Sequence, residues 1–353
     1  MKCTHRMRVY ACHLAACGAA FIVSAGNAFA QPASVANCHA IPNDAQRLAC
    51  YDAATARPTT APREAAPLTP IPAGPASAPE QPARPTSMLD ESWGFDPASP
   101  RYVIGFHRPN YLLPVRYTSD VNNRPFTPLF TAAGVPPQDL DDIEAKFQLS
   151  FKARVWTTDD RRWGVWGAYT QQSHWQVYHS DEQVSKPFRE TNYMPELFLS
   201  FRPGIELPGG FNWRLINAGY VHQSNGRSDP LSRSWDRLFA ELGVDRDNLA
   251  LSLRGWFRLK EDSRTDDNPD ITDYYGYAEL SGLYRWRDHS FLLSGRGNWN
   301  TGKGAIHAAW TSPRLLGLFR GYVQFTSGYG ESMIDYNHKQ TTIGAGIALS
   351  DGL

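Results

Sequence analysis

His222 and Ser224 stand two residues apart. On a β-strand that spacing puts both side chains on one face. Ile216, Ala218 and Tyr220 share their parity, whereas Asn217, Gly219 and Gln223 share the other, with Val221 as the exception. A His and a Ser therefore sit in line with an apolar stripe. Asp236 shares parity with Leu238, Ala240 and Leu242, and Trp235, Arg237 and Glu241 fall on the opposite, more polar side. If residues 225–233 form a hairpin loop, simple pairing sets 222 opposite 236, with Cβ atoms about 5 Å apart. Asp236 would then orient the imidazole while His222 takes the Ser224 proton, a nucleophilic triad pointing outward from one hairpin. The same spacing also suits a polar pair at an interface, and residue types alone leave both readings open.

The elements that must hold these residues are short. From about residue 100 the sequence runs in alternating stretches separated by turn residues. They predict strands near 101–117, 145–157, 162–175, 192–204, 211–224, 234–243, 247–260, 273–286, 289–299, 304–313, 318–328 and 339–350. Past residue 30 no run is long and apolar enough for a membrane helix. About twelve antiparallel strands suit a closed barrel, with ten or fourteen as alternatives. Composition agrees. Among 353 residues there are 11 Trp, 16 Tyr and 17 Phe, yet only 42% of the chain is hydrophobic, and mean hydropathy is −0.45. Polar lumen residues and aromatic girdles give an outer-membrane barrel that profile. The 35 basic and 35 acidic residues cancel, which argues against a nucleic-acid binder.

Residues 1–30 read as a secretory signal: Lys2, Arg6 and Arg8, an apolar stretch from Leu14 to Ser24, then Ala28-Phe29-Ala30. Leu14-Ala15-Ala16-Cys17 matches a lipoprotein box, but leaves an apolar region interrupted by His13. Cys38 and Cys50 remain after export and are expected to pair in an oxidising compartment, within a small segment at 31–55. Residues 56–87, rich in Pro, Ala and Thr, read as a disordered or semi-extended linker. Leu89 to Trp93 would be a short plug or lead-in to a barrel domain spanning 88–353.

The stretch His222-Gln223-Ser224-Asn225-Gly226-Arg227-Ser228-Asp229-Pro230, followed by Ser232-Arg233-Ser234-Trp235, closely resembles the outer membrane phospholipase A family. Further matching runs include Pro187-Phe188-Arg189-Glu190-Thr191-Asn192-Tyr193, Asp266-Asp267-Asn268-Pro269-Asp270 and Ser327-Gly328-Tyr329-Gly330-Glu331-Ser332. The resemblance covers about residues 100–350. It implies a twelve-stranded barrel in the bacterial outer membrane that hydrolyses sn-1 and sn-2 acyl esters of phospholipids, with Ser224 and His222 on its lipid-facing wall. The family usually has Asn as third member, where this sequence has Asp236. By the same resemblance the Gly226 N–H stabilises the oxyanion. Calcium is the implied cofactor, held by the Arg227 carbonyl, the Ser232 hydroxyl and a partner carbonyl near Ser185. Asp229 and Asp267 match a second calcium position. Gln171 matches a dimer-interface position, and calcium-promoted homodimerisation is the implied activation. A non-enzymatic barrel, porin or scaffold, is the competing reading.

The acidic run Asp139, Asp141, Asp142 and Glu144 reads as a solvated turn. Arg189 and Glu190 read as part of a lumen charge network.

Overall fold

The computed structural model describes residues 35–54, 87–134, 139–179 and 186–353. The signal sequence, most of the linker and Ser185 lie outside the described residues. In the N-terminal unit a disulfide joins Cys38 to Cys50 (Cα–Cα 5.7 Å) and ties a short 3-10 turn, Val35–Ala40, to helix α1, Asp44–Ala54.

The larger unit is a closed antiparallel barrel. It starts with β1 (Val103–Phe106) and β2 (Tyr111–Thr118), then β3 (Ile143–Thr157), β4 (Trp163–Trp175) and β5 (Phe188–Phe201). A two-residue β6 (Ile205–Glu206) precedes β7 (Asn212–Ser224), β8 (Ser234–Arg246) and β9 (Leu249–Arg258). The remainder are β10 (Ala278–Trp286), β11 (His289–Asn298), β12 (Lys303–Leu316), β13 (Phe319–Tyr329) and β14 (Lys339–Ala348). Neighbours in sequence pair, β14 returns to β2, and β3 pairs with both β2 and β4, which closes the ring. Twelve strands form this ring. β1 continues the first of them along β3, and β6 extends the edge of β7. The twelve expected strands are all present, with boundaries moved by a few residues.

Every other residue of each strand faces out. Leu149, Leu197, Leu238, Phe257, Leu280, Leu293, Ile306 and Ile343 form an exposed apolar belt. The intervening residues line a lumen crossed by buried ion pairs. Glu144 accepts from Arg116 (2.6 Å) and Arg189 (3.0 Å), and Arg189 continues to Asp335 (2.8 Å). Glu144 thus departs from the expected solvated turn. It is the second residue of β3, its side chain points inward, and its partners offset the cost of burying a carboxylate. Arg189 joins the lumen network as expected.

One end of the barrel has two-residue turns at 247–248, 287–288 and 317–318, and the other has long loops. Short turns are periplasmic and long loops extracellular in such barrels. The short-turn end is plugged by helix α2, Met88–Trp93. Ser87 caps it, accepting from Asp90 N, and Gly94 ends it in the left-handed conformation (φ 59°). Asp245 accepts from Leu89 N (3.1 Å) and from the Ser87 hydroxyl, and Asp90 takes a forked pair from Arg202 (2.6 and 2.7 Å). Met88, Leu89 and Trp93 pack on Trp166, Phe198, Leu215 and Val221 inside the wall. Val221, apolar among lumen-facing residues, belongs to the same buried cluster.

Candidate active site

β7 and β8 pair with Ser224 opposite Ser234, His222 opposite Asp236 and Tyr220 opposite Leu238. This is the register expected from the hairpin arithmetic. Tyr220 and Leu238 on the same face are exposed, whereas Val221, Trp235 and Arg237 are buried inside. His222, Ser224 and Asp236 therefore share the outer wall, at the long-loop end.

His222 Nδ1 lies 2.8 Å from Asp236 Oδ1. A carboxylate can only accept, so Nδ1 carries a proton, and in the neutral imidazole Nε2 keeps the lone pair. Among the described residues neither Nε2 nor Ser224 Oγ has a hydrogen-bond partner. Asp236 Oδ1 also accepts from the Tyr220 hydroxyl at 2.5 Å. The sequence reading gave Tyr220 no role. The signal was its place two residues before His222 on the same face, diagonal to Asp236.

The loop after β7 is held from within. Asn225 is buried; its Nδ2 donates to Leu231 O (2.8 Å) and its Oδ1 accepts from Arg233 N (3.0 Å). Gly226 has φ +64°, which favours glycine, and a Cβ there would press on the Tyr193 ring at 3.0 Å. Gly226 is exposed, and its N–H has no protein acceptor among the described residues. The Arg227 guanidinium donates to Phe188 O (3.0 Å) and Arg189 O (2.6 Å), fastening the loop to β5.

Of the expected calcium ligands, Ser232 and Asp267 meet, although they were expected at two different positions. The Ser232 hydroxyl donates to the Asp267 carboxylate. Arg258 fixes the Asp267 loop by donating to Asp266 (2.6 Å), Asn268 O (3.1 Å) and Pro269 O (3.0 Å). Asp229 is exposed on the facing loop, without an ion pair among the described residues. Negative charge concentrates here: partial burial first, then the Asp266 carboxylate, with Asp236 and Asp267 adding, raises the Glu261 carboxyl. Among the described residues no three His, Cys, Asp or Glu converge as a metal cage. The donors are instead a hydroxyl, carboxylates and a main-chain carbonyl. That all-oxygen chemistry fits a hard cation completed by water. Ser185, the expected partner contribution, lies outside the described residues.

Gln171 faces outward. It pairs with Tyr193, which pairs with Ser224, so the three occupy one row across β4, β5 and β7. At roughly 4.8 Å per strand, Gln171 is about 10 Å from the Ser224 backbone. Tyr169 OH donates to its Oε1 (3.1 Å) and its Nε2 reaches Ser173 Oγ (3.4 Å).

Residues 91–349 match the family described as Phospholipase A1. A Neisseria meningitidis relative is 42% identical over 69% of this chain, and the match spans 65% of that relative's length. The phospholipase A1 of Escherichia coli K12 is 42% identical over 69% of this chain and 80% of its own. A crystal structure of the Salmonella typhi outer membrane phospholipase dimer with bound calcium superimposes with a TM-score of 0.64. That match has 37% identity and covers 71% of this chain and 93% of the other.

Proposed function

The chain belongs to the phospholipase A1 family of outer-membrane β-barrels, and from that premise we propose that it hydrolyses the sn-1 and sn-2 acyl esters of phospholipids through Ser224, His222 and Asp236. The observation that carries the reading is the outward hairpin pair, His222 Nδ1 on Asp236 at 2.8 Å with Ser224 beside it. A phospholipid in the outer leaflet would meet the site without leaving the bilayer.

His222 Nε2 takes the Ser224 proton as Oγ attacks the ester carbonyl, and Asp236 stabilises the imidazolium that forms. The proton then passes to the leaving glycerol oxygen. The acyl group stays on Ser224 until water, deprotonated by His222, releases the fatty acid. The unpaired Gly226 N–H is a donor for the developing oxyanion, an interaction worth about 3–4 kcal/mol in comparable hydrolases. The Arg227 carbonyl and Ser232 hydroxyl would hold calcium, with the partner's chain near Ser185 contributing to it, and Asp229 and Asp267 would serve a second calcium position. Bound there, calcium supplies positive charge against the oxyanion. Homodimerisation completes the site, and Gln171 would pair with its symmetry mate.

A porin reading lacks support. The lumen is crossed by buried ion pairs, and α2 residues pack in a hydrophobic cluster inside the wall. The test is covalent. A long-chain sulfonyl fluoride should label Ser224, identified by peptide mass spectrometry, and His222→Ala should abolish labelling. Labelling elsewhere, or unaffected by His222→Ala, would remove the triad.

A further inference from the structure

Asp236 presents a difficulty that a neutral Asn would not. Its carboxylate sits on the apolar wall, about a third exposed, one row from Leu238. An ionised side chain at the edge of a bilayer gains by rotating toward water, and each rotation would release the imidazole. The Tyr220 hydroxyl stands against that. It donates to Asp236 Oδ1 at 2.5 Å, within the range of a charge-assisted O–H···O⁻ bond, and to the same oxygen that His222 Nδ1 contacts at 2.8 Å. Two donors on one oxygen fix the carboxylate's torsion and point Oδ1 at the imidazole.

We propose that Tyr220 is a positioning residue for the third triad member, holding the Asp236 carboxylate on His222 and taking up part of its charge. The inference rests on the triad reading above. Tyr220 acts only through Asp236. An Asn at 236 would need it less, because the hydroxyl could donate to the amide oxygen or accept from the amide nitrogen and would no longer select one orientation.

Few other titratable groups face the His222–Asp236 pair. On β5 Tyr193 lies opposite Ser224, and after β9 Glu261 is within electrostatic reach of Asp236.

The experiment is a double-mutant cycle on the full-length barrel in mixed micelles with calcium, using Tyr220→Phe, Asp236→Asn and the double variant. Ser224→Ala runs alongside, and heat-modifiable gel mobility monitors folding. Tyr220→Phe should lower kcat by about tenfold with KM within twofold. In the Asp236→Asn background the same change should cost less than about threefold. Equal losses in both backgrounds, or full activity of Tyr220→Phe, would overturn the role of Tyr220. If Ser224→Ala stays active, the triad reading itself falls; if Ser224→Ala is dead and Tyr220→Phe is neutral, only this inference does.

Discussion

A carboxylate on a lipid-facing wall needs partners that share its charge, and Asp236 has His222 and Tyr220. Removing the carboxylate leaves the imidazole without orientation. Asp236→Ala should therefore lower kcat by about 10²–10⁴, as general-base catalysis would require. Asp236→Asn keeps an oxygen acceptor and loses only its charge. It should cost less than about tenfold, the difference between a charged and a neutral hydrogen bond. Steady-state fatty-acid release by both variants checks the ordering, and equal losses would contradict it. At this scale the sequence was informative because side-chain period on a strand is two. Parity placed His222, Ser224 and Asp236 on one face, and the loop count set 222 opposite 236. Tyr220 escaped because a tyrosine in an apolar stripe reads as lipid contact; its value lies in a diagonal reach that spacing does not encode.

Helix α2 and the lumen were less legible. Leu89 to Trp93 gave a plug or lead-in, but not its seat. The seat includes Trp166 and Phe198 on the neighbouring strands β4 and β5, in one buried cluster with Leu215 and Val221 of β7, all far from the helix in sequence. Trp93 meets Trp166 and Phe198 edge-on (centroids 5.4 and 5.8 Å), with the Lys152 ammonium 3.6 Å from its ring. Trp93→Ala should destabilise the barrel by about 3–5 kcal/mol, read by urea unfolding of the folded protein in bilayers. A change below about 1 kcal/mol would mean that α2 is only loosely seated. Glu144 illustrates the opposite failure. Three Asp residues beside it suggest solvent, yet strand β3 begins at Ile143 and turns Glu144 inward onto Arg116 and Arg189.

For the molecule as a whole, the belt of exposed aliphatic and aromatic residues and the closed ring of twelve strands suit a bilayer, with buried charge confined to the lumen and its mouths. Two carboxylates beyond the strands couple that charge to pH. Burial opposes ionisation of Asp335 and Asp351, but Arg189 beside Asp335 and Arg285 beside Asp351 prevail and hold both below the usual carboxylate range. Depressed carboxylates contribute stability above their unfolded value, about 3.9, and lose it as pH falls through the folded value. The barrel should keep its heat-resistant fold at pH 6 and weaken below about pH 4. Asp351→Asn should reduce the loss, as followed by gel mobility across that window. Between copies, Gln171→Ala should weaken the proposed calcium-promoted dimer by about 0.6–2 kcal/mol, measured by sedimentation equilibrium in detergent.

The most direct test of the central claim is fatty-acid release from phospholipid in mixed micelles by the purified protein, with calcium and then with EDTA, beside Ser224→Ala. The account predicts release that requires calcium and disappears in Ser224→Ala. No release from folded, calcium-loaded dimer, or release that survives Ser224→Ala, would contradict it.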